Sequence, residues 1–337
     1  MNKSRRGVGN RTRKIRKTTS MIIPTYNRPE SLRKTLQSIA DQTVPLTELV
    51  ILDDSTIAGT KSVVDEFKKK INIIYIKKKP EDRGTTKSGN IGIRTARGDY
   101  IFQLEDDITI HPDYVEDSLK FFEKNPDATG MCWFPYSNQK MVYEPIKNFF
   151  MRIFFLGHYR KDQSFLLPTV SIVYPHPLTK DIIPTEYMTS GTCVVKKEFQ
   201  KKVLYDETLS DWAIQEDVDM SYRLHKKFGK LYLLRERKLM HTFDLGGRVS
   251  SKKAIYSKII YAGHIFRMNF PQTPKYLIIF WWGMFGRMML RAVPALLKPS
   301  KQHFKDLVHS VGATLSLLWH FGEVKTHPDY FKEFIKQ

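Results

Sequence analysis

Apolar positions in the first 110 residues fall into short blocks of two alternating kinds. Ser20-Met-Ile-Ile-Pro24, Glu48-Leu-Val-Ile-Leu52, Ile71 to Ile76 and Tyr100 to Leu104 are short, mostly apolar runs of the kind buried strands make. Between them apolar residues recur at helical spacing. Pro29, suited to a first helical position, precedes Leu32, Leu36 and Ile39; Val63, Val64 and Phe67 follow the second run, and Gly84 to Ala96 fills the gap before the fourth. Strand and helix alternate four times, which predicts an α/β fold with a mostly parallel sheet and helices on both faces. Val115, Leu119 and Phe122 predict a further helix leading on from Pro112. Residues 131–190, rich in aromatics and proline, show no usable period and are expected to form an insertion over a site. Beyond them, Tyr187 to Val195 reads as a strand after a glycine turn, Glu216 to Leu224 as a helix and Leu231 to Leu234 as a strand.

The pattern matters because of what it leaves at the strand ends. The Tyr100 run delivers Glu105, Asp106 and Asp107 to its C-terminal end, where open α/β sheets bind ligands. Three adjacent carboxylates repel one another unless a cation joins them, and hard oxygen ligands suit Mg²⁺ or Mn²⁺. An acidic turn favouring the N-terminus of the next helix is the plainer alternative. Asp53-Asp54-Ser55 repeats the arrangement after the second strand. Neither GxGxxG nor GxxxxGK[ST] follows the first strand, so bound phosphates would need a metal rather than a backbone cradle. Tyr26 has the shape to stack on a base and Asp54 to accept from its polar edge; both fit equally as turn residues.

Length and charge add limits. The chain has 337 residues, 41% hydrophobic and 27% charged, enough for one large domain or two modest ones. Its two cysteines, Cys132 and Cys193, argue against a disulfide framework or a cysteine-rich zinc site and fit a reducing, intracellular setting. A formal net charge of +20 calls for an anionic partner. From Lys3 to Lys17 the N-terminus carries basic residues, no acid and no apolar signal core, so no export is expected. Residues 1–17 read as a disordered, solvated tail, or as an anchor to anionic lipid worth about 1 kcal/mol per basic residue.

Four segments in register, Ile22-Ile-Pro-Thr-Tyr-Asn-Arg28, Val50-Ile-Leu-Asp-Asp-Ser55, Gly89-Asn-Ile-Gly92 and Gly98-Asp-Tyr-Ile-Phe-Gln-Leu-Glu-Asp-Asp107, resemble the family-2 glycosyltransferases of GT-A fold. The resemblance covers roughly the first 115 residues. It implies a Rossmann-like GT-A sheet, an inverting reaction and a nucleotide-sugar donor, with Pro24, Thr25, Tyr26, Arg28, Asp54, Lys87 and Asn90 on the donor side. It also implies that Glu105-Asp106-Asp107 is the metal motif usually written Asp-x-Asp, here opened by Glu. Glu105 and Asp107 would then hold Mn²⁺ or Mg²⁺, and Asp106 would reach the sugar or ribose. Glu216-Asp217 resembles the family's catalytic element, with Asp217 matching the base; acids in a first helical turn also favour the helix dipole. One base suffices for inversion, because a metal-balanced nucleoside diphosphate leaves without a protonated acid. Some family members place a metal-binding histidine about where His241 stands, though a structural histidine fits too. Arg248, after Gly246-Gly247, is either a diphosphate clamp or a solvated loop arginine. The Gln-x-x-Arg-Trp of processive synthases is absent, so a single transfer is expected.

Two apolar runs near the C-terminus, Tyr276 to Gly286 and Leu307 to Gly322, fall short of the ~20 residues that span a bilayer. With Trp281, Trp282, Trp319 and flanking Lys and Arg they resemble helices lying in a membrane interface; two ordinary core helices are the alternative. The expected layout is a tail (1–17), a nucleotide-sugar half (18–115), an acceptor and catalytic half (116–250) and a C-terminal helical extension (251–337). The expected function is metal-dependent, inverting transfer of one sugar to an acceptor hydroxyl. The acceptor would be a lipid-linked or cell-surface glycan precursor, met at the cytoplasmic face of the cell membrane with an anionic surface as partner. A nucleotidyltransferase-like enzyme is the runner-up, but lacks its glycine-rich basic loop. A nucleic-acid-binding protein would use the basic tail, yet acids at every strand end oppose a phosphate backbone, and no nucleic acid partner is expected.

Overall fold

The four strand–helix units form in the order the periodicity predicts. β1 (Thr19–Thr25) leads into α1 (Pro29–Ala40), with Pro29 opening the helix and Leu32, Leu36 and Ile39 buried. β2 (Glu48–Asp53) is followed by α2 (Thr60–Phe67), and β3 (Ile73–Lys77) by α3 (Thr85–Thr95), which returns to β4 (Tyr100–Gln103). Gly84 starts α3 with φ +125°, a left-handed region glycine occupies without steric cost. This computed structural model describes residues 17–134, 144–209, 214–242 and 250–335.

The second half adds β5 (Ile108–Ile110), α4 (Tyr114–Lys124), β6 (Gly130–Trp133) and α5 (Pro145–Ile153). A small sheet follows, formed by β7 (Tyr159–Arg160), β8 (Phe165–Leu167) and β9 (Ser171–Pro175). Next come β10 (Ile182–Thr185), β11 (Cys193–Lys196), α6 (Lys197–Gln200), α7 (Glu216–Phe228), β12 (Leu231–Leu234) and β13 (Leu239–His241). Residues 131–190 therefore give two strands to the central sheet as well as the small one. Short strands with unequal faces carry no single period, which is why this stretch reads as opaque in sequence. The strand expected over Tyr187 to Val195 is confined to Cys193–Lys196; the preceding residues turn past Glu105 instead.

The central sheet has eight strands in the order β10-β12-β6-β11-β4-β1-β2-β3. Only β11 and β10 run antiparallel to their neighbours. Met21 of β1 lies opposite Leu49 of β2 on one side and Phe102 of β4 on the other. The first three strands build outward in one direction and β4 starts on the far side of β1. A crevice opens at such a reversal, beyond the strands' C-terminal ends. Alternate residues fill the two faces: Met21, Ile23, Ile51 and Phe102 pack with α1, α2 and α4, while Ile22, Val50, Ile101 and Val195 pack with Ile93 of α3 and Met220 of α7. Cys132 and Cys193 face each other across β6 and β11 as free thiols, and burial pushes Cys132 up to about 12.

The C-terminal extension is helical, as expected: α8 (Ser251–Asn269), α9 (Pro274–Leu297), α10 (Lys301–Trp319) and the short α11 (Lys332–Ile335). Ile259, Phe266, Phe280 and Leu317 form its core. Among the described residues, no helix is long and apolar enough to cross a membrane.

Candidate active site

A cleft of about 650 Å³ opens at the reversal point, lined by Pro24 and Thr25 at the end of β1, Tyr26 and Arg28 after it, Asp54 after β2, and Glu105 and Asp106 after β4. Gly84, Thr85 and Lys87 of α3 and Glu216 of α7 complete the walls, so the strand-end acids and the helix-start acids share one space. On the β1 side, Asn27 takes φ 55° and its side-chain oxygen accepts from the Thr56 amide at 2.7 Å, tying the loops after β1 and β2 together. Asp54 is held by Lys78 at 3.0 Å, Ser88 Oγ at 3.0 Å and the Gly84 amide at 3.2 Å. Asp53, by contrast, is turned to Tyr75 and Lys77 and braces the sheet.

The three consecutive acids divide the work. Asp106 accepts from Thr25 Oγ1 at 2.7 Å and pairs with Arg28 at 3.2 Å. Asp107, only 4% exposed, pairs with Arg28 through one oxygen at 3.4 Å and with His241 Nε2 through the other at 3.1 Å. His241 reaches this point because β13 pairs antiparallel with β5, setting His241 opposite Ile108, and it also lies 3.6 Å from Glu105. Glu105, Asp107 and His241 each offer a ligand atom within 4.8 Å of the others. Gly191 matters here: a Cβ on it would stand 2.8 Å from the Glu105 carboxyl, which would have to shift to make room.

The electrostatics are those of crowded like charges. Burial, then the charges of Asp107, Asp217 and Asp106, pushes Glu105 up to about 7, against the pull of His241. Burial pushes Asp106 up to about 6 even though Thr25 and Arg28 oppose it. Burial alone would lower His241, but the hydrogen bond with Asp107 and the charge of Glu105 outweigh it and raise it. Two carboxylates and an imidazole drawn together at this cost suit a divalent cation.

On the opposite wall α7 begins with Glu216 and Asp217. Gln215, just before them, takes a left-handed conformation (φ 78°), which costs a non-glycine residue about 1–3 kcal/mol. Its Nε2 donates to the Val170 carbonyl at 3.3 Å. From behind, Arg287 of α9 holds the same turn, donating to Thr169 O at 2.9 Å and Ser171 Oγ at 2.8 Å. Asp217 Oδ2 accepts from the Tyr187 hydroxyl at 2.8 Å and Oδ1 from the Val218 amide at 2.8 Å. Burial raises Asp217 above the usual carboxylate range, with Tyr187 and the Val218 amide holding the rise in check. Burial and the neighbouring Asp217 charge raise Glu216 well above its ordinary value. Asp219 faces away, bound by Arg223 at 2.6 Å and Asn269 at 2.8 Å.

Of the residues singled out from sequence, Pro24, Thr25, Tyr26, Arg28, Asp54, Lys87, Glu105, Asp106 and Glu216 line the cleft. Asp107, His241 and Asp217 stand behind this lining, bonded as described. Lys87 also donates to the Glu81 carbonyl at 2.6 Å. Asn90 requires a correction. It is 1% exposed and off the cleft, its amide bonded to the Tyr205 carbonyl at 3.0 Å, Glu207 at 2.8 Å and the Tyr205 amide at 2.8 Å. It latches α3 to the chain before α7, and no polar atom is left for a donor. Arg248 lies outside the described residues. Sequence reasoning missed Lys78, Tyr187, Arg83 and Lys253; the last two line the cleft. Tyr187 gives no local signal, because its partner is 30 positions away.

Residues 20–178 match the family described as "Glycosyl transferase family 2". Protein CgeD of Bacillus subtilis (strain 168) is 34% identical over 130 residues, 37% of this chain and 30% of that protein. The chain spans about a third of the length of such curated relatives. A crystal structure of S. aureus TarS 1-349 in complex with UDP-GlcNAc superposes with a TM-score of 0.60 at 15% identity, covering 94% of this chain and 92% of that one. The mannosyltransferase PcManGT from Pyrobaculum calidifontis, in complex with GDP-Man and Mn²⁺, gives a TM-score of 0.55 at 12% identity over 91% and 88%. At those identities the likeness is one of fold, and it covers the helical extension as well as the sheet.

Proposed function

We propose that this chain, whose residues 20–178 match glycosyl transferase family 2, transfers one sugar from a nucleotide-sugar to an acceptor hydroxyl with inversion. The observation that carries this reading is the meeting of Glu105, Asp106 and Glu216 in one cleft, with Asp107 and Asp217 beside them and Arg28 and His241 balancing the charge. Glu105, Asp107 and His241 would hold Mn²⁺ or Mg²⁺, which when bound offsets the charge of a departing nucleoside diphosphate. Tyr26 stacks on the base and Asp54, steadied by Lys78, accepts from its polar edge. Arg28 fixes Asp106 and Asp107, and Lys87 adds positive charge on the phosphate side.

Asp217 takes the acceptor's proton as its oxygen attacks the anomeric carbon. Tyr187 and the Val218 amide occupy one lone pair on each Asp217 oxygen and so fix the direction in which it accepts. The nucleotide-sugars in the TarS and PcManGT complexes support a donor of this class. The acceptor we favour is a lipid-linked or cell-surface glycan precursor, met at the cytoplasmic face of the membrane. The test is a donor panel: each nucleotide-sugar is incubated with the protein and Mn²⁺ and followed for slow hydrolysis. We expect one or a few to be cleaved, the activity to vanish with chelator and to return with Mn²⁺. No binding or cleavage of any member of the panel, with the metal present, would refute the reading.

A further inference from the structure

Three helices expose apolar side chains at helical spacing, on faces turned away from the protein. On α5 they are Ile146, Phe149, Phe150 and Ile153, at i, i+3, i+4 and i+7. On α9 they are Ile278, Trp282, Phe285, Met289, Val293 and Leu296, six positions on one side of a 24-residue helix. On α10 they are Phe304, Val308, Val311, Leu315 and Leu318, followed by Trp319 at 86% exposure. Ordinary surface helices bury such a stripe and expose the polar one. Here each of α9 and α10 has a second, buried face that already serves the core: Phe280 stacks on Phe266 of α8, and Leu317 fits over Gly263 of α8. Because both pack on α8, their outer stripes point away from it. The α5 stripe runs into the α9 one, for Trp282 donates to the Ile153 carbonyl at 2.8 Å and packs tilted against Phe154.

Charge decides the occupant. Lys275, Lys298, Lys301 and Lys305 are exposed at the ends of these stripes, and Asp306 is the lone acid of α9 and α10. A second copy of the chain would set one +20 charge against another. An anionic bilayer meets both features, taking tryptophan and apolar side chains at the acyl boundary and lysines at the head groups. No described helix is apolar and long enough to span, so the geometry lies on the membrane rather than through it. We infer that the outer faces of α5, α9 and α10 form a docking surface for an anionic phospholipid membrane.

The inference stands apart from the sugar-transfer reading, and its test needs no donor. Full-length protein is co-sedimented with vesicles of phosphatidylcholine alone, or of phosphatidylcholine with about a third phosphatidylglycerol. We expect the anionic vesicles to capture it about tenfold or more better, and added salt to weaken capture without abolishing it. Phe304→Asp with Leu315→Asp, two exposed sites outside the cleft, should cost about tenfold or more in capture, with melting temperature and donor hydrolysis in solution unchanged. Equal capture of wild type and double variant would overturn the proposal and shift the role to the basic N-terminus. So would indifference to phosphatidylglycerol, or a wild-type dimer that the double variant splits while vesicles go unbound.

Discussion

Replacing Asp217 by Asn changes one atom at the start of α7 and separates charge from shape. Asn keeps the volume, and the Tyr187 hydroxyl, which donates to Asp217 Oδ2 at 2.8 Å, can turn to accept from the new amide. The Val218 amide keeps its acceptor on the other atom. What is lost is the ability to take a proton. General-base assistance contributes about 10²–10⁴ in rate, or about 2.7–5.4 kcal/mol at about 1.36 kcal/mol per tenfold. Stability should move the other way or not at all, because the substitution removes one negative charge from beside Glu216 and Glu105. The assay is initial rate of product formation at saturating donor and Mn²⁺, beside calorimetric titration with the nucleoside diphosphate and a thermal melt. We expect a loss of about a hundredfold or more, nucleotide affinity within a factor of about 2, and a melting temperature at or above wild type. Turnover within tenfold of wild type, or a loss of rate matched by an equal loss of nucleotide affinity, would refute the assignment of the base.

Tyr187→Phe leaves Asp217 with one donor fewer, so its value rises further and the rate near neutrality should fall roughly tenfold with donor KM unchanged. In wild type the base must be ionised, so activity falls as pH falls through its raised value; a rate profile should place that acid limb above the ordinary aspartate value of about 3.9. Asp107→Asn should weaken Mn²⁺ binding by about tenfold or more in an electron paramagnetic resonance titration, and unchanged affinity would remove Asp107 from the ligand set. Gly191→Ala puts a methyl 2.8 Å from the Glu105 carboxyl and displaces it, so Mn²⁺ affinity in the same titration should fall; unchanged affinity would show that the carboxyl is not needed where it stands. Buried His264, bonded to Asp206 at 2.9 Å and to the Val324 carbonyl at 2.9 Å, is raised because those bonds outweigh burial. Its contribution is therefore complete below about pH 6.5 and is lost as pH rises through its higher folded value. His264→Gln should destabilise by about 3 kcal/mol at pH 6 and by less in alkaline melts.

The first half of the fold was legible because β1, β2 and β4 are buried on both faces and each helix on one. Met21 to Ile23, Leu49 to Leu52 and Leu32-Leu36-Ile39 accordingly carry their periods openly. The strand-end acids could be read for the same reason: a buried run that stops at Glu105 fixes where those carboxylates emerge. His241 and Asp217 were within reach through resemblance, but the contacts that bring them in were not. The β13–β5 pairing joins positions more than 120 apart, and no local pattern encodes it. Asn90 misled because a polar residue in a family-like segment reads as a binding group, whereas its amide satisfies the backbone of Tyr205. Residues 131–190 hid two strands of the central sheet, since β6 and β10 are only four residues long and lie among turns.

Arg287 gives α9 two duties at once. Its guanidinium grips the Thr169–Ser171 turn, whose middle carbonyl receives the amide of Gln215, the residue in front of Glu216 and Asp217. The helix thus has its outer side toward the surroundings and its inner side two contacts from Asp217. Whatever tilts or loosens it is transmitted to the aim of that carboxylate.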